Sequence, residues 1–273
     1  MKKISILFFS VFFSSFILYS QKITLYGKAE PGAVMIGKGE KIMSVYLDKR
    51  KLLIDENGMF VFGFDRNAKG IHTLKIKFKN GKTETKKINL PKRKYVIQRL
   101  KVEKKYVEPP KEELERIRNE ADEMKNARAN AGKIDSAFYS VGFALPINQM
   151  RITCEFGSQR ILNGVRKSPH NGIDVGADEG TPVYAISGGV VLIAGENFYY
   201  NGNFALIDHG QGLTSVYLHL RKLSVKTGDM VTKGQMIGEV GTTGRSTAPH
   251  LHLGMQWYNK RIDPTSVLEM KFP

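Results

Sequence analysis

Cysteine occurs once in the 273 residues, at Cys154, and tryptophan once. A single thiol excludes an internal disulfide, and an isolated one says nothing about redox compartment. Acidic residues are scarce: 26 Asp and Glu stand against 42 Lys and Arg, a net charge of +16. An excess of that size attracts anionic surfaces at long range, or serves only to keep the surface solvated. No nucleic-acid-binding motif accompanies the charge, so nucleic acid is not an expected partner. An anionic cell-envelope surface is the alternative. Cys154 lies in a strand-like segment, Arg151-Ile152-Thr153-Cys154-Glu155-Phe156-Gly157, and reads as a core residue with nothing nearby to activate it.

What is present sorts into segments. Lys2 and Lys3 precede a short apolar run from Ile4 to Leu18, and Ser20 supplies a small residue after it. That is the pattern of a secretory signal over 1–20, with cleavage expected near Ser20/Gln21. An uncleaved N-terminal anchor is the other reading, because the run approaches spanning length. No cysteine sits there to carry a lipid. Removal of Lys2 and Lys3 would leave a charge of +14 (16 − 2).

The chain is long enough for two domains. Between 21 and 106, Leu74-Lys75-Ile76-Lys77-Phe78-Lys79 alternates apolar and basic, as a half-buried strand does. Asn57-Gly58 and Asn80-Gly81 are hairpin-turn signals. Short strands with turns between them predict an immunoglobulin-like β-sandwich. It carries no catalytic grouping; His72 reads as a strand residue without chemistry. A helical linker is expected over 107–142. Leu114, Ile117, Ala121 and Met124 form a helical stripe within 112–131, and Gly132 ends it.

Five of the six histidines fall in the last third: His170, His209, His219, His250 and His252. His170 and Asp174 form an H-x-x-x-D; His250 and His252 form an H-x-H inside an apolar alternating stretch. Residues two apart in a strand share a face, so both imidazoles of the H-x-H enter one cavity. Asn171-Gly172 disfavours helix and Ile173-Asp174-Val175 favours strand, which places His170 at a loop end and Asp174 in a strand. Two imidazoles and one carboxylate leave one corner of a tetrahedral zinc open, as in catalytic zinc sites.

Together, His170–Asp174, Val216-Tyr217-Leu218-His219-Leu220 and Pro249-His250-Leu251-His252 resemble the lysostaphin-type (LytM-type) zinc metallopeptidases. The resemblance runs over roughly 143–268 and includes Gly180-Thr181-Pro182-Val183-Tyr184-Ala185, Gly188-Gly189-Val190-Val191 and Lys233-Gly234-Gln235-Met236-Ile237-Gly238. It implies a mainly β chain whose domain 143–273 is an antiparallel β-sheet peptidase. It further implies a zinc-activated water that hydrolyses peptide cross-links of peptidoglycan, in the periplasm or outside the cell. His170, Asp174 and His252 match the zinc ligands; His219 and His250 match two further active-site histidines, one to move protons and one to stabilise the oxyanion. His209 matches a position that is not a ligand and reads as structural. Ala248 stands where the family has glycine.

Two other readings compete. Some relatives have lost ligands and act as non-catalytic regulators of cell-wall amidases, or a wall-binding module could keep the fold; the full histidine set argues against both. The segment Gly228-Asp229-Met230-Val231-Thr232-Lys233-Gly234-Gln235 also resembles a biotinyl or lipoyl carrier hammerhead, which leaves the histidines unexplained. Arg160, Arg166 and Lys167, in an expected loop over 158–168, read either as a groove rim or as ordinary surface. Tyr199-Tyr200-Asn201 reads as an exposed loop beside the site. The bond cleaved, latency and oligomeric state are not encoded legibly.

Overall fold

The computed structural model describes residues 23–101 and 109–271; the expected signal segment lies outside them. Near the N-terminus, strands Thr24–Tyr26, Val34–Lys38 and Met59–Gly63 form one antiparallel sheet. Strands Arg50–Lys51, Ile42–Leu47, Gly70–Phe78 and Thr83–Leu90 form a second. The alternation in Gly70–Phe78 resolves as its pattern predicts. Leu74, Ile76 and Phe78 are fully buried, whereas Lys75 and Lys77 are exposed. Two antiparallel sheets sharing one core are consistent with the expected sandwich. Asn80-Gly81 closes the hairpin of Gly70–Phe78 and Thr83–Leu90 as expected, whereas Asn57-Gly58 carries the chain from one sheet to the other rather than closing a hairpin, because its flanking strands pair elsewhere. Gly58 stands at φ 74°, where a Cβ would lie 1.9 Å from the Gly39 carbonyl oxygen. Only glycine fits there.

The sheet containing Met59–Gly63 is buried on both faces. One face meets its partner sheet, and the other meets the C-terminal domain. The Gln211 amide bridges the two domains: its Oε1 accepts from Val61 N (3.1 Å) and the Tyr139 hydroxyl (2.7 Å). Its Nε2 donates to the carbonyls of Met59 (3.0 Å) and Asp135 (2.8 Å). Burying an amide requires that each of its polar atoms be paired, and here all are. Arg93 paired with Asp263 adds a second tie.

The C-terminal domain is built on a ten-stranded sheet. Its centre runs Gly189–Phe198, Gly202–Asp208, Leu213–Leu223, His250–Trp257 and Gly172–Gly176, each antiparallel to the next. Leu251, Leu253, Met255 and Trp257 fill the core on one side of the sheet. The other side carries the site.

The segment expected as a loop over 158–168 departs from that reading. It forms a hairpin of Gln159–Leu162 and Val165–Arg166, and Gln159–Leu162 pairs in parallel with Ile97–Leu100. Its signal was hidden because the pairing partner lies some sixty residues earlier in sequence. The expected helix is present over Leu114–Ala129, preceded by a 3-10 turn. Met124 and Ala127 pack on Ile193, Phe204, Leu206 and Val216. Arg116 donates to the Asn197 carbonyl, and Glu120 accepts from Tyr199 N at 2.8 Å. The helix therefore lies across the same sheet face as the site.

One buried group works against stability. Asp208 is fully buried, its Oδ1 accepts from Gly210 N (2.9 Å) and its Oδ2 has no partner. Burial pushes its pKa up to about 6, and the Gly210 bond only partly offsets this. The native state thus holds a proton that the unfolded chain releases near pH 4, so stability falls between about pH 4 and 6 and the loss is complete above. Asp208→Asn, which keeps an acceptor for Gly210, is expected to stabilise the protein at pH 7 by about 2–3 kcal/mol, with no gain at pH 3. Thermal unfolding at both pH values checks this.

Candidate active site

Register alone brings four strands into one row. Asp174 pairs with His252 on one side and with Cys154 on the other, and His252 pairs with Leu218. Directly opposed residues point to the same face, so the carboxylate and the imidazole meet. Asp174 Oδ1 lies 2.8 Å from His252 Nδ1. His170 arrives from a loop clamped to the preceding turn, where its backbone N donates to the Ser158 carbonyl (2.9 Å) and its carbonyl accepts from Gly157 N (2.8 Å). Its Nε2 stands 3.0 Å from Asp174 Oδ1 and 3.1 Å from His252 Nδ1.

Three donor atoms thus converge with separations of 2.8–3.1 Å. Ligands about 2.0–2.1 Å from a tetrahedral zinc stand roughly 3.3 Å from one another, so the set fits a zinc-sized cation with small adjustments. The hydrogen bonding agrees. His170 Nδ1 lies 3.1 Å from the Glu155 carbonyl and donates to it, which leaves the Nε2 lone pair facing the other donors. Gly172 makes room for the arrangement: a Cβ there would sit 2.2 Å from the Leu253 oxygen and 2.8 Å from His252 Nε2.

Electrostatics bind the triad when no cation is there. Burial disfavours charge on His170, but the hydrogen bond and charge of Asp174 outweigh it and hold the imidazole up at about 9. Asp174, despite its burial, is held well below the usual carboxylate range by His170 and His252. Its second oxygen is 3.2 Å from the Arg160 guanidinium. Arg160 thus lines the groove and holds the Asp174 carboxylate, rather than being an ordinary surface residue.

Cys154 is buried, as its setting in the sequence implies, yet it adjoins the triad. Its Sγ, with donor atoms of His170 and Asp174, forms a group spaced within 4.8 Å, and Arg160 Nη2 is 3.4 Å from Sγ. The expectation that nothing activates it is corrected: burial raises its pKa, but His170 and Arg160 outweigh this and lower it. His252 Nδ1 stands 2.8 Å from Asp174 Oδ1 and 3.1 Å from His170 Nε2, with Cys154 beside this set.

His219 and His250 face each other beside the triad with ring centroids 4.9 Å apart. Strand alternation would send His219 to the core with Tyr217. A left-handed backbone at φ 66° instead turns it into the groove. Such a conformation is strained for a non-glycine residue, and strain of this kind concentrates at functional sites. Its Nδ1 donates to the Thr243 carbonyl (2.9 Å), leaving Nε2 as an acceptor. Burial lowers its pKa to about 4, so it is neutral at pH 7. His250 Nδ1 lies 2.8 Å from the Ala248 carbonyl, and its Nε2 is 3.8 Å from Asp174 Oδ1. Ala248 does not adopt a positive φ, so replacing glycine leaves this loop unstrained.

His209 is fully buried between the Gly188 carbonyl (2.6 Å) and Ser215 Oγ (2.7 Å) and takes no part. His72 pairs with Asp48 in the N-terminal domain. Tyr200 and Asn201 line the groove, with Arg245 stacked 4.4 Å over the Tyr200 ring. The helix contribution to the groove, through Ile117, Ala121, Met124 and Arg128, was not visible in the sequence. Its stripe signalled packing but not against which surface.

Residues 168–264 match the family profile described as Peptidase family M23. The chain is 43% identical over 106 residues to the peptidoglycan DD-endopeptidase ShyA of Vibrio cholerae, a match covering 38% of this chain and 24% of that one. It is 40% identical over 124 residues to the DD-carboxypeptidase/endopeptidase Mpg of Neisseria meningitidis, covering 45% and 28%. The chain spans about a quarter of the length of the curated relatives it matches. An M23-family protein of Pseudomonas aeruginosa solved crystallographically superposes with a TM-score of 0.62 at 26% identity, over 88% of this chain and 95% of that one. Sequence likeness over the histidine-bearing half and fold likeness over most of the chain agree: residues 168–264 carry a domain of the Peptidase family M23, LytM type.

Proposed function

We propose that this protein is an exported zinc endopeptidase that hydrolyses peptide cross-links of bacterial peptidoglycan. The observation that carries this reading is the convergence of His170, Asp174 and His252 at 2.8–3.1 Å with two further histidines beside them. The names of the relatives, a DD-endopeptidase and a carboxypeptidase/endopeptidase, support the substrate class. The apolar run at 4–18 supports export to the periplasm or beyond.

His170, Asp174 and His252 would hold the zinc. When bound, zinc supplies Lewis acidity toward the scissile carbonyl and acidifies a bound water to near neutrality. The chain's own groups do the rest. His219 Nε2, unprotonated because Nδ1 is engaged with Thr243, takes the proton of the attacking water and passes it to the leaving amine. His250, whose Nδ1–H is given to the Ala248 carbonyl, would stabilise the developing oxyanion as the imidazolium, through Nε2–H. Arg160 holds the free oxygen of Asp174, which fixes the carboxylate orientation.

The test is digestion of purified sacculi by the protein from Gln21 onward, with soluble products identified by mass. Release of peptides cut at the cross-link is expected. Intact sacculi in the presence of one bound zinc per chain would sink the endopeptidase assignment for this protein acting by itself.

A further inference from the structure

The groove does not end at the histidines. On the face that carries His252, the next residues of its strand are Gly254 and Gln256, and Gln256 pairs with Thr214 on one side and Arg261 on the other. That row lies four residues from His252, about 14 Å along the strand. The Leu114–Ala129 helix supplies Arg128, whose Nη1 donates to Thr214 Oγ1 at 3.3 Å. Arg50, from the N-terminal domain, lies 4.3 Å over the Tyr258 ring. All three arginines line the same cavity as His219, His250 and His252. Seven cationic side chains line that cavity against two acids, Glu120 and Asp174.

These acids are already engaged, Glu120 with Arg116 and Asp174 with the triad and Arg160. Among the described residues, no carboxylate forms an ion pair with Arg50, Arg128 or Arg261. Asp65 is the acid whose charge Arg261 feels, but Asp65 Oδ2 accepts from the Arg261 backbone N (3.1 Å). Burial, and then the charge of Arg261, pulls Arg128 down to about 9. With the Gln256 amide turned to its paired orientation, its oxygen accepts from Arg261 Nε and Nη1, and Arg128 gives Nη1 to Thr214, so the Nη2 donors of both guanidinium groups are left to meet a carboxylate without a counter-charge beside them.

We propose that Arg128 and Arg261, with Arg50 at the rim, form a subsite that receives a free carboxylate of the peptide substrate about four residues from the bond cleaved. This rests on the peptidase reading above. The distance is set by chain geometry: an extended peptide advances roughly 3.3–3.6 Å per residue, so four residues reach from the triad to the Gln256 row. The helix is on this account a wall of the substrate groove, contributing a recognition residue, and not only a connector between domains.

The test pairs two substrates: a cross-linked peptide dimer with free carboxylates and the same dimer amidated. Both are given to the zinc-loaded full protein, to Arg128→Gln and Arg261→Gln, and to the charge-keeping Arg128→Lys. Wild type is expected to prefer the free acid by roughly 10–100-fold in kcat/KM, mostly through KM, the ordinary worth of charge-assisted hydrogen bonds. In either Gln variant that gap closes to within about threefold, whereas Arg128→Lys retains part of it. Equal handling of both substrates by wild type overturns the subsite, as does a variant that loses activity on both with the gap intact. Calorimetric binding of the two dimers separates the readings. If neither dimer is hydrolysed but the acid binds preferentially and the preference is lost in the Gln variants, the subsite stands and the peptidase reading falls. No preference in binding overturns the subsite.

Discussion

Replacing His252 by alanine is expected to strip the metal and to lower peptidoglycan hydrolysis on the order of 10³-fold or more, since a Lewis acid contributes several kcal/mol to such a barrier. His252 Nδ1 is one of three donors within 3.1 Å of one another, and its removal leaves only His170 and Asp174. Two donors do not hold zinc with useful affinity at neutral pH. Cys154→Ser discriminates between the ligand sets: it is expected to keep one zinc per chain, because His170, Asp174 and His252 already supply three donors 2.8–3.1 Å apart. Metal content after dialysis reads both variants. Zinc retained in His252→Ala and lost in Cys154→Ser would transfer the third ligand to the thiol. The affinity also carries a pH signature. The metal-free protein keeps a proton on His170 up to about pH 9, through Asp174 and against burial. Zinc must displace that proton, so its apparent affinity rises about tenfold per pH unit on the acid side of that value. A flat affinity between pH 6 and 8 would contradict the His170–Asp174 coupling.

His219→Ala is expected to do the opposite to the metal and nearly the same to the rate. His219 donates no atom to the triad, so zinc content stays at one per chain. Turnover falls about 10²–10⁴-fold, the usual contribution of a positioned acid or base. The loss should appear in kcat rather than KM, because the proton moves only in the transition state. His219→Gly carries a further expectation. The backbone at 219 is left-handed, and glycine adopts φ 66° without strain. The glycine variant should therefore be the more stable of the two while being equally inactive. Parallel melting curves and rates check this; full activity in either variant would remove His219 from the proton path.

Particular residues show how much could be read in the chain. The H-x-H fixed which face His250 and His252 share, because side chains in a strand alternate whatever surrounds them. The Leu74, Ile76, Phe78 alternation marked a half-buried strand for the same reason, and the helix over Leu114–Ala129 followed from its stripe. Local spacing carries local geometry. His219 broke the rule: its neighbours alternate toward the core, and only the irregular pairing around Asn203 and Leu220 turns it outward. No spacing announces a left-handed histidine.

The hairpin at 159–166 was misread as a loop because its partner strand, Ile97–Leu100, belongs to a distant part of the chain. The crowding of Cys154 against His170 and Arg160 was equally hidden, since it arises from the pairing of Asp174 with Cys154 across a sheet. The sequence by itself determined the metal-type donors, the strand that carries two of the histidines and the family its C-terminal domain resembles. Only the tertiary structure decided which side of the sheet the linker helix covers, how Arg50, Arg128 and Arg261 from three separate segments come to line one groove, and how Gln211 locks the two domains together. Residues near in sequence are constrained by backbone periodicity, whereas residues far apart meet only through register and packing, which no local pattern encodes.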